Sequence, residues 1–458
     1  MIRFRRLFSF LLCAALLLSL APAAFADDGA GMFRLRLKVE GKETESAVRA
    51  YDMSYPYNSY ISLSDLSAAL SGTSANFRLR YSYSESEGSV FNLTTGEDSP
   101  TAPAPALTEP SRAQPMELSL RRHRLFVDGR EKRYYSAMVN QDLFMSLADV
   151  QLILNLSLDF PEPGLLAVRP DEPFAPDLLA LQADGYFDVF NGVLLADAES
   201  GEVLFSSSAS RAAPIASLSK LMSYLIIAEA LDAGEVKRSD RVAISKKAEL
   251  LSKSSDGMVE LYTGSKVPFT ELLQAMLLAS SNECCLALAE HVAGSEEAFV
   301  ARMNQRAMEL GLRSARFYTP HGLPAYPESS LTAKLQNLMS PADLFKLSAY
   351  LLEHYPEITE ITSLQYCSMP TLDYTTANSN PMVFNIDGVN GLKTGSTNRA
   401  GYCLVASLPV KGADGAGHTL VMVLLGAELA EVRGQASEIL LRWGRDHYTA
   451  EQSGEDAA

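Results

Sequence analysis

Ser217 and Lys220 stand three residues apart at the head of an apolar run, Leu221 to Leu231. A helix starting there stacks the two side chains on one face, one turn apart. A serine hydroxyl is a poor nucleophile until a neighbouring base takes its proton. A lysine can be that base once its own proton is weakly held. No other serine in the chain has a lysine three residues later. Ser217 therefore reads as the nucleophile of an acyl transfer.

Two further marks follow in chain order. Ser280-Ser281-Asn282 interrupts a helical pattern, and Lys393-Thr394-Gly395 is the only Lys-Thr-Gly in the chain. Ser-x-Asn by itself carries little weight, since it recurs at Ser74 and Ser396. After a serine–lysine pair, each residue type suits a task. Ser280 can relay a proton to a leaving amine, and Asn282 can hold a substrate amide. Lys393 and Thr394 can bind a carboxylate. Gly395 lets a substrate backbone approach the strand, and the N–H groups of Ser217 and Ser396 suit an oxyanion. Burial and the positive charge of Lys393 are expected to keep Lys220 near neutral. A helix-capping serine and a solvated lysine would explain one mark alone, but not three in order.

The elements that must position these residues can be read from the same rows. Asn191 to Asp197 and Glu202 to Phe205 form a hairpin around Glu199-Ser200-Gly201, leading to Ser217. Val242 to Ile244 and Met258 to Leu261 read as short strand pieces. A helix over Glu271 to Leu278 stops at Ser280 and resumes from Glu283 to Ala293. Ser340-Pro341 opens another helix, with proline in its first turn. Lys393-Thr394-Gly395 lies on a strand at a sheet edge. Tyr402 to Leu408 and Leu420 to Leu425 are further strands, and Glu431 to Trp443 is an amphipathic helix.

The chain as a whole sets outer bounds. Its 458 residues allow two or three domains and a large core. The net charge of −16 argues against a nucleic-acid partner, which calls for a basic footprint. Arg3, Arg5 and Arg6, the apolar stretch Leu7 to Leu20 and Ala24-Phe25-Ala26 read as a secretory signal peptide, cleaved near Ala26. Its loss takes the charge to −19 and places the mature protein outside the cytoplasm. No later segment is long and apolar enough to span a membrane, and membrane association by other means stays open. Cys284 and Cys285 are adjacent and read as buried free thiols, while a Cys367–Cys403 bridge stays open. No metal or other cofactor is expected: Glu290 and His291 lack a His-Glu-x-x-His pattern, and His321 reads as a structural loop residue.

Residues 30 to 172 hold an imperfect repeat. Val39-Glu40-Gly41-Lys42 is echoed by Val127-Asp128-Gly129-Arg130, and Ile61-Ser62-Leu63-Ser64-Asp65 by Met145-Ser146-Leu147-Ala148-Asp149. Each half reads as a hairpin, a short helix capped by Ser62 or Ser146, and a strand such as Phe77 to Tyr83 or Leu156 to Phe160. Ser99 to Pro115 reads as a linker between the halves. Five prolines from Pro161 to Pro176 mark a boundary near residue 175. A catalytic domain is expected over 175–448, and a disordered acidic tail over 449–458.

The three marks in this order resemble those of penicillin-binding proteins and β-lactamases. From residue 187 to 447 the chain is similar to the serine D-alanyl-D-alanine carboxypeptidases, the low-molecular-mass penicillin-binding proteins. Glu290-His291-Val292-Ala293-Gly294-Ser295, Pro320-His321-Gly322-Leu323 and Gly391-Leu392-Lys393-Thr394-Gly395 extend the likeness beyond the three marks. The resemblance implies an α+β fold, a sheet flanked by helices with an all-helical lobe. It also implies removal of the terminal D-alanine from peptidoglycan stem peptides and inhibition by β-lactams. Ser281 and Glu283 depart from the family, which commonly has Gly or Ala and Asp there. The region 30–172 resembles the copper amine oxidase N-terminal-like domain, a small α+β accessory module. Its one histidine, His123, argues against a metal site.

Rival readings remain at this point. A D,D-endopeptidase would use the same acyl-enzyme. A class A β-lactamase would need a second base, a Glu with an Asn four residues on, and no Glu between Asn282 and Lys393 has one. A non-catalytic envelope scaffold would have no need of the intact motif residues.

Overall fold

The computed structural model describes residues 31–450, apart from 43–44, 54–57, 87, 106–113, 116–118, 163, 326–333 and 414. The expected signal peptide and residues 451–458 of the expected tail lie outside the described residues. The chain divides into two compact units between Tyr186 and Phe187.

In the N-terminal unit the two capping serines define the repeat. Ser62 Oγ accepts the Asp65 N–H at 3.0 Å, starting the helix Leu63–Leu70. Ser146 Oγ accepts the Asp149 N–H at 3.1 Å, starting the helix Leu147–Leu154. The strands that lead into these helices pair antiparallel, with Ile61 opposite Met145. The two copies of the repeat thus meet head to head. Arg49 ties them together, bonding Asp65 of the first copy at 2.8 Å and Asp142 of the second at 2.7 Å.

The halves are not separate modules. Leu165–Arg169 of the second copy pairs parallel with Gly31–Val39 of the first. Arg124–Val127 of the second pairs parallel with Gly88–Thr95 of the first. Each copy completes its sheets only with strands from the other, so the main core forms from both, including Leu37, Leu66, Phe91, Leu125 and Val150. The expected linker is partly drawn into this unit: Ala104–Pro105 and Gln114–Pro115 pair with Ser46–Ala47 and Gly31–Met32. His123 is half-buried, with Nδ1 2.9 Å from Ser136 Oγ and its ring edge-on to Phe91.

The C-terminal unit is built on a five-stranded antiparallel sheet. Its order is Val203–Ser207, Gly192–Asp197, Gly417–Ala427, Gly401–Lys411 and Gly391–Thr397, so the Lys-Thr-Gly strand is at one edge. Both faces are covered, which is why the central strands are apolar on both sides. The helix Ala430–Thr449 covers one face. It lies close enough that a Cβ at Gly444 would come within 3.0 Å of Leu195 and Leu420. The helix Pro341–His354 covers the other face, where a Cβ at Gly192 would lie 2.7 Å from Pro341.

Beyond that second face stands the helical lobe. Its core joins the helices Lys220–Asp232, Phe269–Gln274, Asn282–Ala293 and Glu296–Glu309 to sheet residues such as Leu194, Val405 and Val423. Arg241–Ala243 pairs with Lys266–Pro268 as a small hairpin. Met258 to Leu261 is not a strand. The N–H groups of Met258 and Val259 are taken by the Glu283 carboxylate, so they need no neighbouring strand. Cys284, Cys285, Cys367 and Cys403 are all buried free thiols.

The helix Pro341–His354 has a side-chain cap typical of the lobe: Ser340 Oγ accepts the Asp343 N–H at 3.2 Å and is itself bonded by Ser314 Oγ at 3.0 Å. Ser340→Ala leaves the Asp343 N–H without its side-chain acceptor, while the Ser314 hydroxyl keeps Asp343 Oδ2, and is expected to cost about 1 kcal/mol. Urea unfolding checks this; an unmoved midpoint would reject the capping role.

Candidate active site

Ser217 sits in a single turn of 3₁₀ helix, Ala216–Ser219, that runs straight into the helix Lys220–Asp232. The residue before it is under strain. Ala216 has φ of 48°, in the left-handed region that a non-glycine residue enters only when its surroundings demand it. Those surroundings can be named. Ser219 Oγ donates to the Ala216 carbonyl at 2.7 Å, and Asn337 Nδ2 donates to Ser219 Oγ at 2.8 Å. Gly322, at φ of 93°, packs against the same carbonyl, where a Cβ would come within 2.0 Å of the oxygen.

Lys220 turns back along the helix to Ser217, as the spacing requires. Its Nζ lies 2.8 Å from Ser217 Oγ, 2.8 Å from Asn282 Oδ1 and 2.8 Å from the His321 carbonyl oxygen. The side chain is fully buried, and no carboxylate is among these partners. Burial pushes its pKa down to about 8, against a partial opposing pull from the Glu283 carboxylate. At pH 7 roughly a tenth of Lys220 is then the neutral amine.

The neutral form has one possible arrangement. An uncharged amine has two N–H bonds and one lone pair. The His321 carbonyl is an obligate acceptor. Asn282 also presents its oxygen, because its Nδ2 is spent on the Asp256 carbonyl at 3.0 Å. Two N–H bonds to two acceptors leave the lone pair for the third partner, the Ser217 hydroxyl. The site can therefore draw the proton from Ser217 Oγ onto Lys220 Nζ.

Ser280 ends a wide π turn, Ala275–Ala279, and takes a left-handed φ of 63°. It is half-buried and is not among the groups bonded to Lys220. Ser281 caps the next helix, accepting the Cys284 N–H at 3.1 Å. That helix starts at Asn282, which places the asparagine side chain at the lobe's edge.

On the edge strand, Lys393 is fully buried and donates to the Thr394 carbonyl at 3.0 Å. Its pKa lies well below the usual lysine value, through burial first and then through Lys220 and Arg433. Lys393 was expected to help hold Lys220 neutral. Burial carries that effect by itself, and Lys393 is in turn displaced toward the neutral amine. Ser396 is exposed at the end of the row. Gly395 has an internal use: a Cβ there would lie 2.9 Å from the Ile215 oxygen and 2.9 Å from the Ser217 nitrogen. A side chain would force the edge strand away from the 3₁₀ turn.

Three contributors carried no chemical signal in the sequence. His321 acts through its carbonyl, and any residue type has one. Its ring is held neutral, pushed down to about 3 by burial and by Lys220. Asn337 fixes the loop that carries it, accepting the N–H of Tyr318 at 2.7 Å and donating to the Thr319 carbonyl at 2.8 Å. Ser379 lies 2.6 Å from Thr394 Oγ1, on a segment pinned by buried Asn378 and Asn380. Glu290 and His291 stay outside the cluster, with His291 bonded to Asp240 at 3.1 Å. Among the described residues no group of His, Cys, Asp or Glu converges as a metal site, and no helix is long and apolar enough to cross a membrane.

Fold and site together define a class: a β-lactamase-like sheet and helical lobe with a serine–lysine pair between them. The chain belongs to the D-alanyl-D-alanine carboxypeptidase family, whose model matches residues 191–428, just over half of the 458 residues. It is 34% identical to D-alanyl-D-alanine carboxypeptidase DacC of Escherichia coli over 254 residues, 55% of this chain and 60% of the relative. It is 35% identical to D-alanyl-D-alanine carboxypeptidase DacF of Bacillus subtilis over 217 residues, 47% of this chain and 52% of the relative. The chain thus spans little more than half the length of these curated relatives. Among solved structures it resembles a peptidoglycan synthesis regulatory factor (PBP3) from Streptococcus pneumoniae. That match has a TM-score of 0.51 at 28% identity and covers 56% of this chain and 73% of the other.

Two outcomes follow from the geometry. With Lys220 as base, acylation by a fluorescent penicillin should rise about tenfold per pH unit below about pH 8 and level off above it. A flat profile from about pH 6 to 9 would reject the assignment. Gly322→Ala should slow acylation by about a hundredfold, because its methyl collides with the Ala216 carbonyl and shifts Ser217. Rates within threefold of wild type would show that the contact is slack.

Proposed function

We propose that the protein is a serine-type D-alanyl-D-alanine carboxypeptidase acting on peptidoglycan stem peptides. The observation that carries this reading is the lone pair of buried Lys220 aimed at Ser217, next to a strand that presents Lys393 and Thr394. Lys220 takes the Ser217 proton while Oγ bonds to the carbonyl carbon of the penultimate D-alanine. The C–N bond then breaks. The proton passes from Lys220, relayed by Ser280, to the amine of the departing D-alanine. Water attacks the ester, its proton returns through Lys220 to Ser217 Oγ, and the shortened peptide leaves as the acid.

The terminal carboxylate belongs beside Lys393, Thr394 and Ser396. A carboxylate there favours the ammonium form of Lys393. The pocket becomes cationic as its ligand arrives, which suits a ligand that must be recognised by its free C-terminus. A β-lactam offers the same amide and carboxylate, but its leaving group stays tethered and obstructs water. Its acyl-enzyme should persist. Action outside the cytoplasm follows from the substrate and from the signal-peptide reading of Met1 to Ala26. The N-terminal unit would serve as an accessory module to this activity.

The test is incubation with a pentapeptide ending in D-Ala-D-Ala and with a cross-linked dimer, followed by mass analysis of the products. Release of one D-alanine from the pentapeptide supports the carboxypeptidase; cleavage of the dimer alone would replace it with an endopeptidase. Ser217→Ala should abolish both D-alanine release and penicillin labelling, and undiminished release from that variant would overturn the mechanism. Lys220→Ala should slow acylation by about a thousandfold.

A further inference from the structure

Glu283 follows Asn282 directly, and its side chain is fully buried. Its Oε1 accepts the backbone N–H groups of Met258, at 2.9 Å, and of Val259. Its Oε2 is buried without a hydrogen-bond partner among the described residues. Asn282 binds the same segment, through Nδ2 to the Asp256 carbonyl. Two adjacent residues at a helix start thus grip one irregular stretch, Asp256 to Val259. Burying a carboxylate with one oxygen unpaired is costly, and an apolar side chain would fill the space more cheaply. A purely packing role does not account for the choice.

The consequence falls on Asn282. The two ends of its amide are nearly the same size, and which end faces Lys220 depends on what the other end meets. The Asp256 carbonyl accepts only, so it draws Nδ2 and leaves Oδ1 for Lys220. Were that carbonyl to move away, the amide could turn over and present N–H to Lys220. The lone pair would then be offered two donors, Ser217 and Asn282, and the base would be misdirected.

We propose that Glu283 is a positioning residue. Its carboxylate anchors Asp256–Val259 so that the Asp256 carbonyl locks the Asn282 amide with Oδ1 toward Lys220. The effect on catalysis rests on the function proposed above; the effect on the amide does not. The charge environment of Lys220 is consistent with a role of position. Its charged or titratable neighbours are Lys393 on the edge strand, His321 with Lys247 behind it, and Cys284 and Cys285 beside Glu283. Burial pushes the Cys285 thiol up to about 11 and the Cys284 thiol well above its usual value, so both stay uncharged.

Three variants separate reach from charge. Glu283→Gln keeps the acceptor oxygen at the same reach without the charge. Glu283→Asp keeps the charge one methylene short of the Met258 and Val259 N–H groups. Glu283→Leu has neither. Penicillin acylation is followed across pH, and each variant's structure is solved. The plateau rate above the acid limb should fall less than about tenfold in Gln and by about a hundredfold in Asp and Leu. The Asn282–Asp256 contact should be kept in Gln and lost in the other two. The acid limb should move to lower pH in both Gln and Leu, since the charge of Glu283 that favours the ammonium is gone, and further in Leu, where the ammonium also loses an acceptor; a mere loss of stability would not move it. A Leu plateau within threefold of wild type, or an intact Asn282–Asp256 contact in Asp and Leu, overturns the proposal. If Leu fails to fold, Gln against Asp decides, and a Gln variant worse than Asp overturns it in favour of charge. A wild-type protein that neither labels with penicillin nor releases D-alanine sinks the proposed function instead, and the solved contacts still decide the role of Glu283.

Discussion

A lysine amine sealed from water and surrounded by neutral oxygens is the constraint from which the site follows. In water Lys220 would hold its proton to about pH 10.5; in its pocket the pKa is about 8. That difference corresponds to roughly 3 kcal/mol in favour of the free base. A carboxylate against Nζ would reverse it. The pocket accordingly offers an amide oxygen, a peptide carbonyl and a hydroxyl. Glu283, the carboxylate that acts on Lys220, directs its bonds to backbone N–H groups instead.

Keeping three oxygens at 2.8 Å from one buried nitrogen takes three separate chain segments, each held by polar anchors, with Asn337 serving two of them. Asn337 and Ser219 hold the strained Ala216 turn, and Asn337 also carries the loop with His321. Ser281 caps the helix that starts with Asn282. Gly395 and Gly322 let the edge strand and the His321 loop lie against the backbone at Ser217. These bonds are individually modest, about 1 kcal/mol each, but they are buried. Losing one strands its partner, so they hold the site more firmly than their net energies suggest. Strain at Ala216 persists because this surrounding frame over-determines it.

The N-terminal unit obeys a different constraint. A repeat of this length cannot close two sheets alone, so each copy borrows strands from the other. The Arg49–Asp65–Asp142 cluster sits where the copies meet, joining charges from both. Because the core needs both copies, truncating either would remove the edge against which the other's strands pair.

The sequence by itself determined the candidate side chains, their order and the elements that bear them. The spacing of Ser217 and Lys220 is enough to place one over the other, because a helical turn brings residues three apart together whatever surrounds it. The caps at Ser62, Ser146 and Ser340 were legible for the same reason: their bonds reach only three residues. Tertiary structure alone decided what those side chains can do. The direction of the Lys220 lone pair depends on a carbonyl at residue 321, about a hundred positions away, and a backbone carbonyl leaves no mark in a sequence. Met258 to Leu261 has the composition of a strand, but the Glu283 carboxylate takes its N–H groups. Gly395 reads as clearance for a substrate, yet the space it leaves is filled by the chain's own backbone. Local hydrogen bonds and helical periodicity are written in neighbouring residues. Burial, the orientation of an amide and the identity of a distant acceptor exist only once the chain has closed around them.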